Sequence, residues 1–262
     1  MSSWHKVFYS IAEVLPGWVR TQFWVRPPFR ASYNADGFAT LHAAEFLKDP
    51  AFIEAYRAGA STPHHLSRQL HVEWRSYVCC WAASQALFSG GAMVECGVNT
   101  GIIPLTVAKY IGLDTRVSRP YYLLDTYNGI PEAQLTDDER EQGQFLNELY
   151  RDCYDAVVET FRPFPSVRIV RGEIPGTLSE IDAESISYLM LDLNVAYPEK
   201  CVLEQLWDRM TAGALIVLDD YGWEGHSLQR KVHDDFAKSK GLFVLPLPTG
   251  QGIIMKPANA EA

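Results

Sequence analysis

The chain has 262 residues, 47% of them hydrophobic, and a formal net charge of -9. This length is enough for one sizeable core, so one α/β domain with an added segment is the plain expectation. The acidic balance disfavours a nucleic-acid partner, and there is neither a clean signal peptide nor an apolar run that could span a membrane. We therefore expect a cytoplasmic protein without nucleic-acid or membrane partners.

The first 62 residues are rich in aromatics and prolines, as in GWVRTQFWVRPPFRASY (17–33), and are predicted to be irregular. They are too short and broken for a domain. We therefore expect a lid or an oligomer contact at 1–62, compatible with a homo-oligomer, and the main domain at 63–262. Thr62 as a cap and Pro63 at the first helical position predict that this domain opens with a helix ended by Gly90 and Gly91.

From residue 92 onward, short apolar runs alternate with helical patterns. Continuous hydrophobicity is typical of strands covered on both faces, as in a mostly parallel sheet. The predicted strands are 92–98, 121–127, 167–172, 187–193, 214–220, 242–247 and 251–257; the predicted helices between them are 101–112, about 137–161, 198–210 and 225–240. The last two strands, joined by PTG, are predicted to form an antiparallel hairpin at one edge. The pattern predicts an open α/β sheet of seven strands.

Acidic residues stand where these strands end, and ligands of open α/β sheets bind beyond the carboxyl ends of the strands. The first strand runs into VECGVNTG (94–101), whose glycines permit a tight turn and a close approach to a ligand. A dinucleotide fingerprint has a glycine where this chain has Glu95, and a carboxylate there repels pyrophosphate. Glu95 suits S-adenosylmethionine instead, because that cofactor carries a sulfonium and an ammonium group.

Two alternatives stay open for this loop. It can be an ordinary strand-to-helix turn, or the sheet can belong to a nicotinamide-dependent oxidoreductase, against which Glu95 argues. In favour of the cofactor site, Asp125 ends the second strand, where a carboxylate can accept hydrogen bonds from ribose hydroxyls. The turn RGEIPGTL (171–178) is a candidate contact of the adenine edge. The candidate cofactor contacts are Glu95, Gly97, Asn99, Gly101, Asp125, Thr126, Gly172, Glu173 and Asp192.

The stretch GALIVLDDYGW (213–223) places two adjacent acids, Asp219 and Asp220, at the end of a buried strand. Neighbouring strands lie about 4.8 Å apart. If the strand that ends at Asp192 is the neighbour, three carboxylates can converge on a hard divalent cation, for which magnesium is the first choice. The alternative is that Asp219 caps a turn and Asp220 points to solvent.

Five stretches occur together and in order: WAASQALFSGGAMVECGVNTG, YLLDTYNGIPE, RGEIPGTLSEI, YLMLDLNVAYPE and GALIVLDDYGW. As a set, over roughly residues 70–257, they resemble the macrocin-type O-methyltransferases, metal-dependent enzymes that use S-adenosylmethionine to methylate sugar or phenolic hydroxyls of natural products. The resemblance implies a Rossmann-like class I methyltransferase fold and a small-molecule hydroxyl acceptor. It implies cofactor contacts at Glu95, Gly97 and Asp125.

The resemblance also implies a magnesium site at Asp192, Asp219 and Asp220, but one departure affects the mechanism. Members of the family have an Asp-Gly-Asp-Leu-Tyr type of sequence after the fourth strand, and the second aspartate is the proposed general base. This chain has Asn194 there, and a neutral amide cannot take up the proton.

Three accounts of Asn194 remain open. The metal can acidify the substrate so that no strong base is needed, or His226 in DDYGWEGH (219–226) can serve as the base, because histidine titrates near neutrality. In the third account, the protein binds the cofactor but has lost catalysis. The alternative for His226 is a structural one: it lies in the first turn of the predicted helix, and its side chain faces solvent or caps the helix.

Overall fold

The computed structural model describes residues 31–63, 70–141 and 150–258. The chain divides into two compact units, residues 1–45 and 46–262, so the division falls earlier than the predicted break at residue 62. In the described part of the first unit, strands β1 (Tyr33–Ala35) and β2 (Phe38–Thr40) form an antiparallel hairpin where the sequence predicted irregular structure. The role of 1–62 as a lid or an oligomer contact stays a prediction, and residues 1–30 lie outside the described residues.

The second unit is built on a sheet of seven strands in the order β5-β4-β3-β6-β7-β9-β8. All neighbours run parallel except that β9 is antiparallel to both β7 and β8. The predicted mostly parallel sheet with a C-terminal antiparallel hairpin is thereby confirmed. Its strands are β3 (Ala92–Cys96), β4 (Tyr121–Asp125), β5 (Val167–Arg171), β6 (Ile186–Leu191), β7 (Met210–Leu218), β8 (Leu245–Pro246) and β9 (Gly252–Met255).

Helices cover both faces of this sheet, which is why its central strands β3 and β6 are buried at every residue rather than at alternate residues. One core lies between the sheet and helices α1 (Pro50–Ala60), α2 (Glu73–Ala86), α3 (Ile102–Ile111) and α4 (Tyr154–Phe161). The other core lies between the sheet and helices α5 (Ala196–Leu206) and α6 (Ser227–Ser239). Successive residues of one strand therefore enter different cores: Met93 enters the first and Val94 the second.

The order of the strands reverses between β3 and β6. The chain runs from β3 through β4 to β5 in one direction, and then crosses to place β6 and β7 on the other side of β3. Such a switch point opens a crevice at the carboxyl ends of the two central strands, and ligands of doubly wound folds bind there.

The first predicted helix starts ten residues later than expected, at Glu73 rather than at Pro63, and residues 64–69 lie outside the described residues. The hydroxyl of Tyr56 on α1 explains the late start: it donates to the carbonyl of Leu70 (2.8 Å) and accepts from the N–H of Val72 (3.0 Å). These backbone groups are satisfied by a side chain instead of by a helix. Thr62, the predicted cap, follows α1 and lies 3.1 Å from Thr100, hydroxyl to hydroxyl.

The single helix predicted over about 137–161 is also wrong. A helix begins at Asp137, residues 150–153 are not helical, and α4 begins at Tyr154. Cys153 holds the non-helical stretch against the loop that follows β4, because its N–H donates to the carbonyl of Tyr127 (3.0 Å). Tertiary contacts of this kind override a helical pattern in the sequence.

Candidate functional site

Two cavities open at the switch point between β3 and β6. The Asp125 cavity is lined by Gly97, Asn99, Asp125, Thr126, Tyr127, Asn128, Gly129, Ile130, Pro131, Gln134, Tyr150, Arg151, Cys153, Gly172, Ile174, Asp192, Leu193, Asn194 and Pro198. The Arg75 cavity is lined by Leu70, Val72, Arg75, Gly97, Val98, Asn99, Thr100, Ile102, Ile103, Pro104, Met190 and Asp192. Gly97, Asn99 and Asp192 belong to both linings. The two cavities therefore meet where β3 and β6 end.

Gly97 makes this meeting possible. A Cβ on Gly97 would lie 1.9 Å from the carbonyl oxygen of Asp192, and its φ of +90° falls in the region that L side chains rarely adopt. A glycine is thus required both by space and by backbone conformation. The end of β3 can approach the end of β6 this closely only because residue 97 lacks a side chain.

Asp125 clamps the loop that follows β3. Its Oδ2 accepts the backbone N–H groups of Val98 (2.6 Å) and Asn99 (2.7 Å), and its Oδ1 accepts that of Tyr127 (2.7 Å). Three backbone donors thus engage a carboxylate that the sequence assigned to ribose hydroxyls. The Asp125 side chain shapes the cavity wall by holding two loops together.

Glu95 points into the core between the sheet and helix α2. Its side chain is fully buried, and its Oε1 accepts hydrogen bonds from the hydroxyls of Tyr121 and Tyr188, the latter at 3.1 Å. Burial raises the pKa of Glu95 to about 8, against the opposing effect of the two tyrosine hydrogen bonds. At neutral pH this carboxyl group is therefore mostly protonated, and it lacks the negative charge for which the sequence analysis selected it.

Some of the other candidate cofactor contacts line the Asp125 cavity and others do not. Thr126 and Gly172 line the Asp125 cavity. Gly101 serves packing, because a Cβ there would lie 2.8 Å from the ring of Phe161. Glu173 is exposed to solvent.

Asp192, Asp219 and Asp220 form the acid cluster. One carboxylate oxygen from each residue lies within 4.8 Å of those of the other two. They converge because β6 and β7 are parallel neighbours, with Leu191 paired to Leu218 just before the acids. Burial, followed by the nearby charge of Asp219, raises the pKa of Asp220 to about 6 and that of Asp192 well above its usual range.

Two donors that the sequence analysis missed hold Asp219. The guanidinium of Arg75 on α2 donates to Oδ2 in an ion pair, and the amide of Gln251 donates to Oδ1 at 2.9 Å. The alternative in which Asp219 caps a turn and Asp220 points to solvent is thus wrong, because Asp219 is 1% exposed and the side chain of Asp220 is 11% exposed. Arg75 left no signal in the sequence, because the pattern of α2 does not tell which strand end the helix covers.

Asn194 and His226 lie on either side of the acid cluster. The Asn194 amide donates to Oδ1 of Asp192 (3.1 Å), and the residue lines the Asp125 cavity. Nδ1 of His226 lies 3.9 Å from Oδ2 of Asp220 and forms a hydrogen bond with the side-chain oxygen of Gln229. His226 is the N-cap residue of α6, and its side chain is only 19% exposed.

Buried polar groups continue from His226 beneath the site. The Gln229 amide donates to Oε1 of Glu199 (2.9 Å), which also accepts the backbone N–H of Leu193 (3.1 Å). Oε2 of Glu199 lies 2.7 Å from Nε2 of His233. This network joins α5 and α6 to the loop that carries Asn194.

Tyr150 and Cys153 are further cavity residues that the sequence analysis missed, because they lie in the stretch predicted as helix. Burial, and then the charges of Asp192, Asp220 and Asp125, raise the pKa of Tyr150. Burial raises the pKa of Cys153 to about 11. Both side chains therefore stay protonated at neutral pH, and the thiol of Cys153 donates to the backbone carbonyl of Asn99 (3.4 Å).

The model of the macrocin-O-methyltransferase (TylF) family matches residues 84–245, which is more than half of the chain. The chain belongs to this family. It is therefore an S-adenosylmethionine-dependent O-methyltransferase, as the resemblance predicted. Among curated proteins, no sequence matches this methyltransferase.

Two solved structures share the fold of the methyltransferase. The O-methyltransferase NovP is 15% identical, with a TM-score of 0.65 over 79% of this chain and 98% of that one. CalS11, a calicheamicin methyltransferase, is 16% identical, with a TM-score of 0.57 over 85% of this chain and 96% of that one. At these identities the likeness concerns the fold. In the part of the methyltransferase that the structure describes, no helix is long and apolar enough to cross a membrane.

We expect Glu95→Gln to flatten the pH dependence of stability. Because burial raises the pKa of Glu95 to about 8, the folded wild-type chain binds more protons than the unfolded chain between about pH 4 and about pH 8, and its free energy of unfolding falls as the pH rises. Urea unfolding measures this free energy at about pH 5 and about pH 9. Between these two values it should fall on the order of several kcal/mol more for wild type than for the variant. Glu173→Gln, at an exposed position, is the control. The expectation would be contradicted if the free energy of unfolding changed with pH by the same amount in wild type and in Glu95→Gln.

We expect Asp125→Asn to lower both stability and cofactor affinity. An amide presents one oxygen and one NH2 group, so it cannot accept from backbone donors on both sides, and loss of these bonds should cost about 1–3 kcal/mol. Thermal unfolding and calorimetric titration with S-adenosylhomocysteine measure the two effects, with Asp137→Asn at the surface as control. If affinity falls while the melting temperature stays at the wild-type value, Asp125 contacts the cofactor and does not clamp the loop.

Proposed function

We propose that this enzyme methylates a hydroxyl group of a small natural-product or sugar-like acceptor, and that a magnesium ion bound by Asp192, Asp219 and Asp220 assists the reaction. The acid cluster at the rim of the two cavities is the observation that carries this proposal. The naming of the family for macrocin and of CalS11 for calicheamicin supports the acceptor class. Cytoplasmic localisation and a homo-oligomer stay predictions.

The Asp125 cavity is the proposed site of the cofactor's nucleoside. Of the candidate contacts, we retain the six that line it: Gly97, Asn99, Asp125, Thr126, Gly172 and Asp192. The acidic groups among them suit a cofactor that carries positive charge and no phosphate. When bound, the cofactor supplies a methyl group on a positively charged sulfur, which passes to the acceptor oxygen by displacement at carbon as the hydroxyl loses its proton.

The acid cluster fits a hard divalent cation. Three carboxylates are the donors that magnesium prefers, and Oδ2 of Asp220 is buried without a hydrogen-bond partner among the described residues. A buried carboxylate oxygen without a partner is costly, and this cost supports a cation at this position. A magnesium ion there supplies positive charge that lowers the pKa of a bound hydroxyl.

Calorimetry should show that the cofactor and the metal bind at separate sites. We expect wild type to bind both S-adenosylhomocysteine and magnesium, and Asp220→Asn to retain the nucleoside but lose the magnesium heat, because the substitution removes a charged ligand and leaves Gly97 and Asp125 in place. Asp235→Asn, a surface acid on α6, is the control. Nucleoside binding without a magnesium site in wild type would refute the metal part of the proposal. Absence of nucleoside binding would refute the cofactor site.

We propose His226 as the general base. The aspartate that serves as the proposed base in the family is absent here, because this chain has Asn194 at that position. Glu199 can only accept hydrogen bonds when ionised, so it draws the NH2 group of Gln229 and turns the amide oxygen of Gln229 toward Nδ1 of His226. Nδ1 must then carry a proton, and in the neutral ring the lone pair is at Nε2. The fixed tautomer supports His226 as a proton acceptor.

A second candidate, a methyltransferase-like protein without catalysis, is supported by Asn194 itself. Transfer of labelled methyl groups from S-adenosylmethionine to a panel of sugars and phenols separates the two. With His226 as the base, His226→Gln should lower kcat by about 100-fold or more while S-adenosylhomocysteine binds as before. Asn194→Asp should then bring little gain. Activity that appears only in Asn194→Asp would favour the protein without catalysis.

A further inference from the structure

The three acids of the cluster differ in how they are neutralised. Asp219 has a donor on each oxygen: the guanidinium of Arg75 on Oδ2 and the amide of Gln251 on Oδ1. The hydroxyl of Thr249 donates to the amide oxygen of Gln251 (3.0 Å), which fixes the NH2 group toward Asp219. The side chains of Arg75 and Asp219 are 17% and 1% exposed, so water screens their attraction weakly.

Among the residues that the structure describes, Asp192 and Asp220 do not have such a pair of donors. Asp192 accepts from the neutral amide of Asn194, and Oδ2 of Asp220 has no hydrogen-bond partner in the described part of the chain. The guanidinium of Arg75 faces this cluster through its ion pair with Asp219. Arg75 is thus a cation supplied by the protein at the place that the proposed function gives to a metal ion.

A guanidinium and a divalent cation cannot share this cluster without cost. Arg75 occupies one oxygen of Asp219, so a cation bound by the three acids would lie close to the guanidinium. Two positive charges a few ångströms apart in a weakly solvated site repel strongly. Arg75 lines the Arg75 cavity, which gives its guanidinium open space to move into when it leaves Asp219.

We propose that Arg75 is an internal competitor of the divalent cation: it neutralises Asp219 when no metal is bound and leaves Oδ2 of Asp219 when a metal binds. This inference rests on the metal site of the proposed function. The protein then keeps a buried acid cluster in a neutralised state without metal, and metal affinity is lowered by the free energy needed to break the Arg75–Asp219 pair.

The test is calorimetric titration of magnesium into three full-length proteins without cofactor: wild type, Arg75→Met and Arg162→Met. Methionine keeps much of the length of the side chain and removes the charge. Arg162 is a surface residue paired with Glu159 on α4, so its variant controls for the change in net charge. We expect magnesium to bind Arg75→Met about tenfold more tightly or better, and Arg162→Met as weakly as wild type.

Each outcome separates the competitor role from the proposed metal site. If magnesium binds wild type and Arg75→Met with equal affinity, or wild type more tightly, the competitor role is overturned and the metal site stands. If magnesium binds none of the proteins, the metal part of the proposed function is refuted and the competitor role with it.

A second measurement needs no variant and keeps the inference testable if Arg75→Met does not fold. Wild-type protein is labelled with phenylglyoxal, which modifies accessible arginines, with and without magnesium, and the modified peptides are quantified by mass spectrometry. We expect magnesium to increase modification of Arg75 several-fold and to leave that of Arg162 unchanged. An unchanged or lower modification of Arg75 in magnesium would overturn the inference.

Discussion

The requirement to neutralise three carboxylates at the ends of two adjacent strands governs the architecture of this site. Parallel pairing of β6 and β7 brings Asp192, Asp219 and Asp220 together at one rim of the sheet. Charges this close in a weakly solvated place are tolerated only with compensating donors or cations. The protein meets the requirement with elements that are distant in sequence: a helix before the sheet supplies Arg75, and the last hairpin supplies Gln251.

Two residues, Gly97 and Asp125, shape the cavity beside the acids. Gly97 lets β3 approach β6, and Asp125 binds the loop that follows, so one carboxylate and one missing side chain set the shape of the crevice. A site built this way presents backbone groups in fixed positions to a ligand, which lowers the entropy lost on binding. The family membership then assigns that crevice a chemistry, methyl transfer to oxygen.

The sequence predicted the sheet well, because seven continuous apolar runs have few interpretations in an α/β protein. It also predicted the acid cluster, since residues that end parallel strands share one rim. It did not reveal that Glu95 is buried and accepts hydrogen bonds from Tyr121 and Tyr188 on the two neighbouring strands. It failed for 137–161, where the N–H of Cys153 donates to the loop after β4. Arg75, Gln251 and Glu199 could not be found from sequence because their roles arise only through contacts between distant elements.

The position of Gln251 directly before β9 has a consequence for the order in which the site is assembled during synthesis. Asp219 leaves the ribosome before the residue that holds its Oδ1, because β9 is the last strand of the sheet along the chain. A nascent chain that has completed β7 but not β9 carries a buried acid with one donor missing and an open sheet edge beside it. Pairing of β9 with β7 covers the open edge of the sheet and brings Gln251 to Asp219 at the same time. The last strand therefore completes the sheet and the acid cluster in a single step.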